Sequence, residues 1–173
     1  LEAQLQEIDM SKGNSVIVTP EPRGRFSEGT VSGTPVPGTC MEIVPSTNPV
    51  GGRFSFRARS LADGVQGPVI ILLEDLLQGK TFDDAYASGD RCFLYYPVNG
   101  EEFNMAIRDP AGTGTAGVEN IGDQLQIDGA TGMLQAATQS PSGTAIAAPF
   151  TLLERGGVDE TTTYHRHCRY NAN

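Results

Sequence analysis

Apolar and polar residues alternate with a period of two over several short stretches of the chain, the pattern of a strand with one buried face. In Arg53-Phe-Ser-Phe-Arg-Ala-Arg59 the alternation puts Phe54, Phe56 and Ala58 on one face and the arginines on the other. Val69-Ile-Ile-Leu-Leu73 is continuously apolar and bounded by Gly67-Pro68 and Glu74-Asp75, which predicts a strand covered on both faces at the centre of the core. Arg91-Cys-Phe-Leu-Tyr-Tyr96 and Glu102-Phe-Asn-Met-Ala-Ile107 flank Asn99-Gly100. That dipeptide favours a two-residue primed turn, so an antiparallel hairpin is predicted there. A second hairpin is predicted from Gln124-Leu-Gln-Ile127 and Met133-Leu-Gln-Ala136 around the turn cluster Asp128-Gly-Ala-Thr-Gly132. Thr144-Ala-Ile-Ala-Ala148 and Phe150-Thr-Leu-Leu153 read as further strands, with Pro149 marking an edge, bend or bulge. Residues 161–170 are placed to close the sheet.

Only one segment reads as helical. Thr81-Phe-Asp-Asp84 has the spacing of an N-terminal cap, and Gly89-Asp90 ends the helix within about two turns. Prolines at 20, 22, 35, 37, 45 and 49 remove backbone donors and push the preceding residues toward extended dihedrals, so residues 11–49 are expected to be arm and short strands. Within them, Val16-Ile-Val18 and Cys40-Met-Glu-Ile-Val44 are apolar islands that could add to a sheet edge or lie along another protein. The predicted organisation is an extended proline-containing arm over residues 1–50 and one domain over residues 51–173. The fold class is all-β: a compact β-barrel or barrel-like sandwich with one short helix.

Composition sharpens this reading. Glycine and proline, 21 and 11 of the 173 residues, make up about 18% of the chain where about 12% is usual, too turn-rich for a helical bundle. The formal net charge of −9 repels a phosphate backbone unless a dense basic patch offsets it. The arginines at 23, 25, 53, 57 and 59, and at 155, 166 and 169, are scattered, so direct nucleic-acid binding is not expected. No apolar run reaches the length of a membrane span, and no secretory signal pattern opens the chain. Cys40, Cys92 and Cys168 are too far apart for a Cys-x-x-Cys site, and three cannot make an even-numbered disulfide framework, although one pair could bridge and leave one free.

Candidate chemistry is sparse. His165 and His167 fall on the same side of an extended strand while Cys168 points away. That spacing suits two zinc ligands, but a third is unmarked. The alternative is a terminal strand whose histidines are exposed or contact a partner. The pairs Glu74-Asp75, Asp83-Asp84 and Glu101-Glu102 supply carboxylates, yet glycosidase chemistry needs a spatial separation that sequence adjacency does not provide. The loose glycine pattern of residues 110–117 lacks the following helix a dinucleotide site needs. Ser142-Gly143 beside Pro141 reads as turn. Tyr86, Phe93, Tyr95 and Tyr96 form the densest aromatic group; alternation sends Phe93 and Tyr95 to one face and Tyr96 to the other, and an exposed tyrosine pair would suit an interface or a stacked sugar. No catalytic, cofactor-binding or metal residue is assigned.

The order of elements over residues 67–107 is a buried strand, an acidic-Gly turn, an Asp-Asp-Ala-Tyr cap, a Gly-Asp step, a strand, a Gly-centred turn and a strand. This stretch resembles the central region of bacteriophage head decoration, or capsid cement, proteins. Residues 122–134 and the strand ending Thr151-Leu-Leu-Glu154 are similar to that family too. The resemblance implies a non-enzymatic, barrel-like domain, made in the host bacterial cytoplasm and bound on the outer surface of the virion. Its partners would be the major capsid protein and neighbouring copies of itself around local symmetry axes, with no cofactor, nucleic acid or membrane. The rival reading is a receptor- or glycan-binding β domain of a virion appendage. From the residue patterns alone, far-ultraviolet circular dichroism of the purified chain should be β-dominated; a helical content above about one-third, the average for globular proteins, would refute the all-β assignment.

Overall fold

The computed structural model describes residues 15–44, 52–60, 67–81, 83–108, 121–136, 146–153 and 164–171. These form ten strands and one turn of 3-10 helix, Leu76–Gln78. Five strands, β1 (Arg25–Ser32), β2 (Met41–Ile43), β3 (Ser55–Ala58), β4 (Ile71–Leu72) and β5 (Arg91–Tyr96), make a sheet in the order β2-β3-β1-β5-β4. The other five, β6 (Glu102–Ile107), β7 (Gln124–Ile127), β8 (Leu134–Ala136), β9 (Ile146–Leu152) and β10 (Tyr164–Tyr170), close into a barrel in the order β10-β6-β8-β7-β9. The all-β, barrel-like expectation holds, with a second sheet beside the barrel.

Alternation explains both interiors. Phe103, Met105 and Ile107 of β6 meet Leu125, Ile127, Leu134, Phe150, Leu152 and Cys168 in the barrel core. Burying each large side chain contributes roughly 1.5–3 kcal/mol against the entropy of ordering the chain. A second core gathers Val31, Met41, Phe56, Ile70, Leu72, Tyr86, Cys92 and Leu94. β5 serves both, with Tyr95 and Phe93 on the barrel side and Cys92, Leu94 and Tyr96 on the other. Ile71 and Leu73 likewise face the barrel core while Ile70 and Leu72 face the second. The run 69–73 is therefore covered on both faces as its composition predicts, although only Ile71 and Leu72 form a ladder, with Tyr95 and Leu94. The outer edge of β4 is covered by residues 38–41: Gly38 N–H donates to the Leu72 carbonyl (2.8 Å), Leu72 N–H to Thr39 (3.0 Å) and Met41 N–H to Ile70 (2.7 Å).

The described part of the stretch expected to be an arm is instead built into the body. β1 lies between β3 and β5, pairing Arg25 to Tyr96 through Thr30 to Arg91 on one side and Thr30 to Ser55 on the other. The prolines do exclude helix, but the proline-free window from 23 to 34 is long enough for a strand. Its polar composition hid it: in β1 only Gly29 and Val31 are buried, and Gly29 is small because the Phe56 ring lies against it. Residues 16–18 run along β6, with Ile17 bridging Phe103, Asn104 N–H donating to Val16 (2.8 Å) and Val18 N–H to Glu102 (3.0 Å).

Three further expectations change. β5 and β6 are not a hairpin, because the Asn99-Gly100 turn carries the chain from one sheet to the other. The turn itself is present: Gly100 has φ +87° and Glu101 N–H donates to Val98 (3.2 Å). Among the described residues no helix follows Thr81. Asp84 does accept from the Thr81 N–H (3.1 Å) and hydroxyl, but residues 84–87 take up no regular secondary structure and Tyr86 enters the second core. There the Tyr86 hydroxyl donates to Leu73 (2.8 Å) and its N–H to Pro35 (2.9 Å). Burying that ring outweighs two turns of helix, which are too short to be stable unaided. Finally, β9 runs through Pro149 as one strand. The register steps from Leu125↔Phe150 to Ile127↔Ile146, four residues of β9 against two of β7, so Pro149 sits in the predicted irregularity.

The second hairpin is formed by β7 and β8, and β10 closes the barrel by pairing β6 and β9. The glycine pattern of 110–117, Ser142-Gly143, Thr144 and Ala145 lie outside the described residues. A β-carbon on Gly24 would stand 2.1 Å from the Tyr96 carbonyl oxygen and 2.6 Å from the Tyr95 ring. Gly24→Ala should therefore lower the unfolding free energy by about 1–3 kcal/mol, as overpacking does. In a passive arm the change would be silent, so an unmoved denaturant midpoint would contradict this packing.

Candidate functional site

Of the carboxylates and histidines singled out by the sequence, Glu101, Glu102, His165 and His167 lie at the β5–β6 corner or along the β6–β10 pair, and strand alternation sorts them. Glu101 is buried and Glu102 half-buried on the opposite side. Glu101 is the hub of the corner. Its Oε1 accepts from the Tyr95 hydroxyl (2.8 Å) and from the N–H groups of Arg23 and Gly24, and its Oε2 from Val98 N–H (2.8 Å). Burial opposes ionisation, but these donors outweigh it and hold the carboxyl below the usual glutamate range. The same site pushes the Tyr95 phenol up to about 12, through burial first and then the Glu101 carboxylate.

On the outer face of β6 and β10, Glu102 bridges His167 Nε2 (2.9 Å) and Arg169 Nη2 (2.8 Å). Its carboxyl is held low chiefly by the Arg169 hydrogen bond, with burial opposing and His167 assisting. At this exposure such pairs are worth about 0–1 kcal/mol each. His165 shares that face as predicted but turns to other partners: its Nε2 donates to the Pro37 carbonyl (2.6 Å), and Nδ1 lies 3.8 Å from Asp83. Burial pulls the His165 pKa down, and the Pro37 contact and the Asp83 and Glu74 charges act against it. The two imidazoles thus serve separate joints, and among the described residues no three His, Cys, Asp or Glu side chains converge as a metal site.

The remaining carboxylates join segments. Glu74 accepts from the Ser15 hydroxyl and from Val16 N–H (3.1 Å), tying the N-terminal stretch to the end of the 69–73 run. Asp75, buried, caps the 3-10 turn through Leu77 N–H (3.1 Å) and the Gln78 amide. Burial raises its pKa, but these bonds and Arg91 bring the net shift below the usual range. Asp128, fully buried, receives Arg108 Nη1 (2.9 Å) and the Thr131 N–H (3.2 Å) and hydroxyl (2.7 Å), which shapes the β7–β8 turn. Burial lifts the Cys40 and Cys92 thiols to about 12, so neither is a nucleophile.

The aromatic group is mostly internal. Tyr86 and Tyr95 are buried, Phe26 packs edge-on to Tyr95 at 4.8 Å, and the Arg91 guanidinium covers Phe93 at 4.9 Å. The expected exposed tyrosine pair is therefore corrected: Tyr95 is lost to the core and Tyr96 is half-buried. The exposed apolar side chains are others, Leu76 (71%), Leu77 (88%) and Ile121 (64%) above all. Leu76 and Leu77 were missed because they read as part of an acidic-Gly turn. Their signal was two adjacent leucines inside a turn with no periodic apolar partners.

Because the folded pKa of Glu101 is depressed, its contribution to stability is complete above the unfolded glutamate pKa of about 4.3 and is lost as pH falls through the lower folded value. Glu101→Gln would set an amide N–H₂ against Val98 N–H, leaving two donors face to face. The variant should lose about 2–4 kcal/mol at pH 7 and show a shallower acid decline than the parent in denaturant titrations from pH 7 to 3. Equal stability of the two proteins at pH 7 would show that the corner does not depend on the carboxylate.

Against known proteins, no family model matches this chain, and no curated protein matches it.

Proposed function

We propose that this protein is a structural capsid decoration, or cement, protein of a bacteriophage, binding the outer surface of the assembled major capsid lattice and stabilising the head without catalysis. The observation that carries the reading is how the acidic and aromatic groups are used. Glu74, Asp75, Glu101, Glu102 and Asp128 each tie one segment to another, and Tyr86 and Tyr95 link the cores to neighbouring backbone or carboxylate. Such cross-tying suits a body whose task is to hold shape while its neighbours are pulled apart. The resemblance over residues 67–107 covers this same region, from β4 through the Glu101 corner to β6.

The physics of the role is additive. A shell swells and comes under internal pressure as DNA is packaged, and a protein bridging neighbouring capsomers adds interface that must break before they separate. Repetition over a lattice turns a modest contact per copy into a large total. Copies around a local symmetry axis would reinforce one another. The rival glycan-binding reading is weakened because two of the rings that would stack a sugar, Tyr86 and Tyr95, are internal.

Mixing the purified protein with assembled, undecorated shells of its parent phage and imaging them by electron cryomicroscopy should reveal ordered density outside the shell at repeated local-symmetry positions. Folded protein that occupies no shell site would overturn the proposal and bring the appendage reading forward.

A further inference from the structure

We infer that the Leu76–Gln78 turn is the anchor of the docking surface, and that its two leucines enter an apolar recess on the capsid protein rimmed by basic side chains. This rests on the decoration reading and adds where and how contact is made. Leu76 and Leu77 are the most exposed large apolar side chains among the described residues, and neither belongs to either core. The fold therefore does not require leucine at these positions. Burying such side chains on docking removes apolar surface from water, the main favourable contribution to most protein association.

The turn beneath them is held in place before any partner arrives. Asp75 and Lys80 exchange backbone hydrogen bonds (Asp75 N–H to Lys80 at 3.0 Å, Lys80 N–H to Asp75 at 2.9 Å), and Gln78 N–H donates to the Asp75 carbonyl (3.0 Å). Gly79, at φ +68°, ends the turn in the left-handed region. The Gln78 amide bonds both the Asp75 carboxylate and the Arg91 carbonyl (2.9 Å), which pins the tip to β5. Docking then has little backbone to order, which is how a small apolar tip gains affinity.

Charge supplies the complementarity. The nearby cations are already engaged: Lys80 with Asp90 (3.5 Å) and the Ala85 carbonyl (2.9 Å), and Arg91 with Asp75 (3.5 Å) and the Phe93 ring. Asp83 and Asp84 are exposed, and Asp84 is bonded to Thr81, the residue after the pair that closes the turn. The segment that bears the tip carries Glu74, Asp75, Asp83, Asp84 and Asp90 against only Lys80 and Arg91, so it is net negative, on a chain of net charge −9, and a lysine- or arginine-rimmed recess fits it.

The test uses the full chain and undecorated shells, with occupancy read by co-sedimentation and cryomicroscopy. The double variant Leu76→Ser, Leu77→Ser and the single variant Leu77→Gln should keep the parent's unfolding midpoint. The double variant should lose about tenfold or more in shell affinity, as removal of a buried anchor does. Ile121→Ser, also at an exposed apolar position, should stay within about twofold, the behaviour of a residue outside the anchor. Parent binding should weaken as salt is raised, and Asp83→Lys should weaken it further. If the parent binds shells and both leucine variants bind equally well, the anchor is wrong while the decoration reading survives. A parent that never occupies the shell removes both. Should the leucine variants instead lose only self-association, measured by sedimentation velocity, the turn is a contact between copies and the capsid recess is overturned.

Discussion

Ionising a carboxylate away from water costs several kcal/mol unless donors replace the lost hydration. Glu101 meets that condition with four donors drawn from three places in the chain: residues 23–24, the β5 tyrosine Tyr95 and the turn at Val98. Each charge-assisted bond returns about 1.5–3 kcal/mol. The arrangement fixes where the chain leaves the five-stranded sheet and enters the barrel. The start of β1, the end of β5 and the start of β6 all take their positions from this one side chain, and Tyr170 closes the corner by exchanging backbone bonds with Gly100 and Glu101.

From that corner, β6 sets out with β10 along one edge and β8 meeting the other only at Ile107↔Leu134. A strand edge left open would expose unpaired amides and carbonyls. Residues 16–18 fill the first half of that edge, and Gly38 accepts from Ala106 N–H (3.1 Å) further along. The N-terminal stretch is thus a seam of the barrel as well as a strand of the second sheet. In the proposed role this matters mechanically, because force applied to either sheet is shared through β5, β4 and the seam instead of falling on one hinge.

The surface divides the labour differently. Ion pairs such as Glu102 with Arg169 and Arg57 with Glu42 (2.7 Å) link residues that are already cross-strand partners, at modest energy. The exposed apolar surface at Leu76 and Leu77 sits on a turn whose own geometry is fixed by a buried aspartate. A rigid base under a greasy tip is the arrangement expected where specificity comes from fit rather than from area.

Much of the fold was readable in the residues themselves. Period-two alternation in 102–107 and 124–127, the Asp-Gly-rich turn between β7 and β8, the double-sided burial of 69–73 and the irregularity at Pro149 all follow from local rules, because each depends on side-chain direction or backbone freedom within a few residues. The opposed faces of His165 and Cys168 were legible for the same reason. What local rules could not decide was partnership. Whether β5 pairs β6 depends on Glu101 finding donors some 78 residues away in sequence. Whether 25–32 is strand or arm depends on two neighbours, β3 and β5, that offer it hydrogen bonds on both edges, and not on its own apolar content. The exposure of Leu76 and Leu77 likewise became visible only when both cores had formed without them. Sequence by itself determined an all-β chain and the strands of the barrel, because alternation is a local property; which strands meet, that 25–32 is one of them, and that Phe54 is exposed while Arg59 is buried were decided by the tertiary structure alone, because hydrogen-bond partners and buried charges are chosen by distance in space.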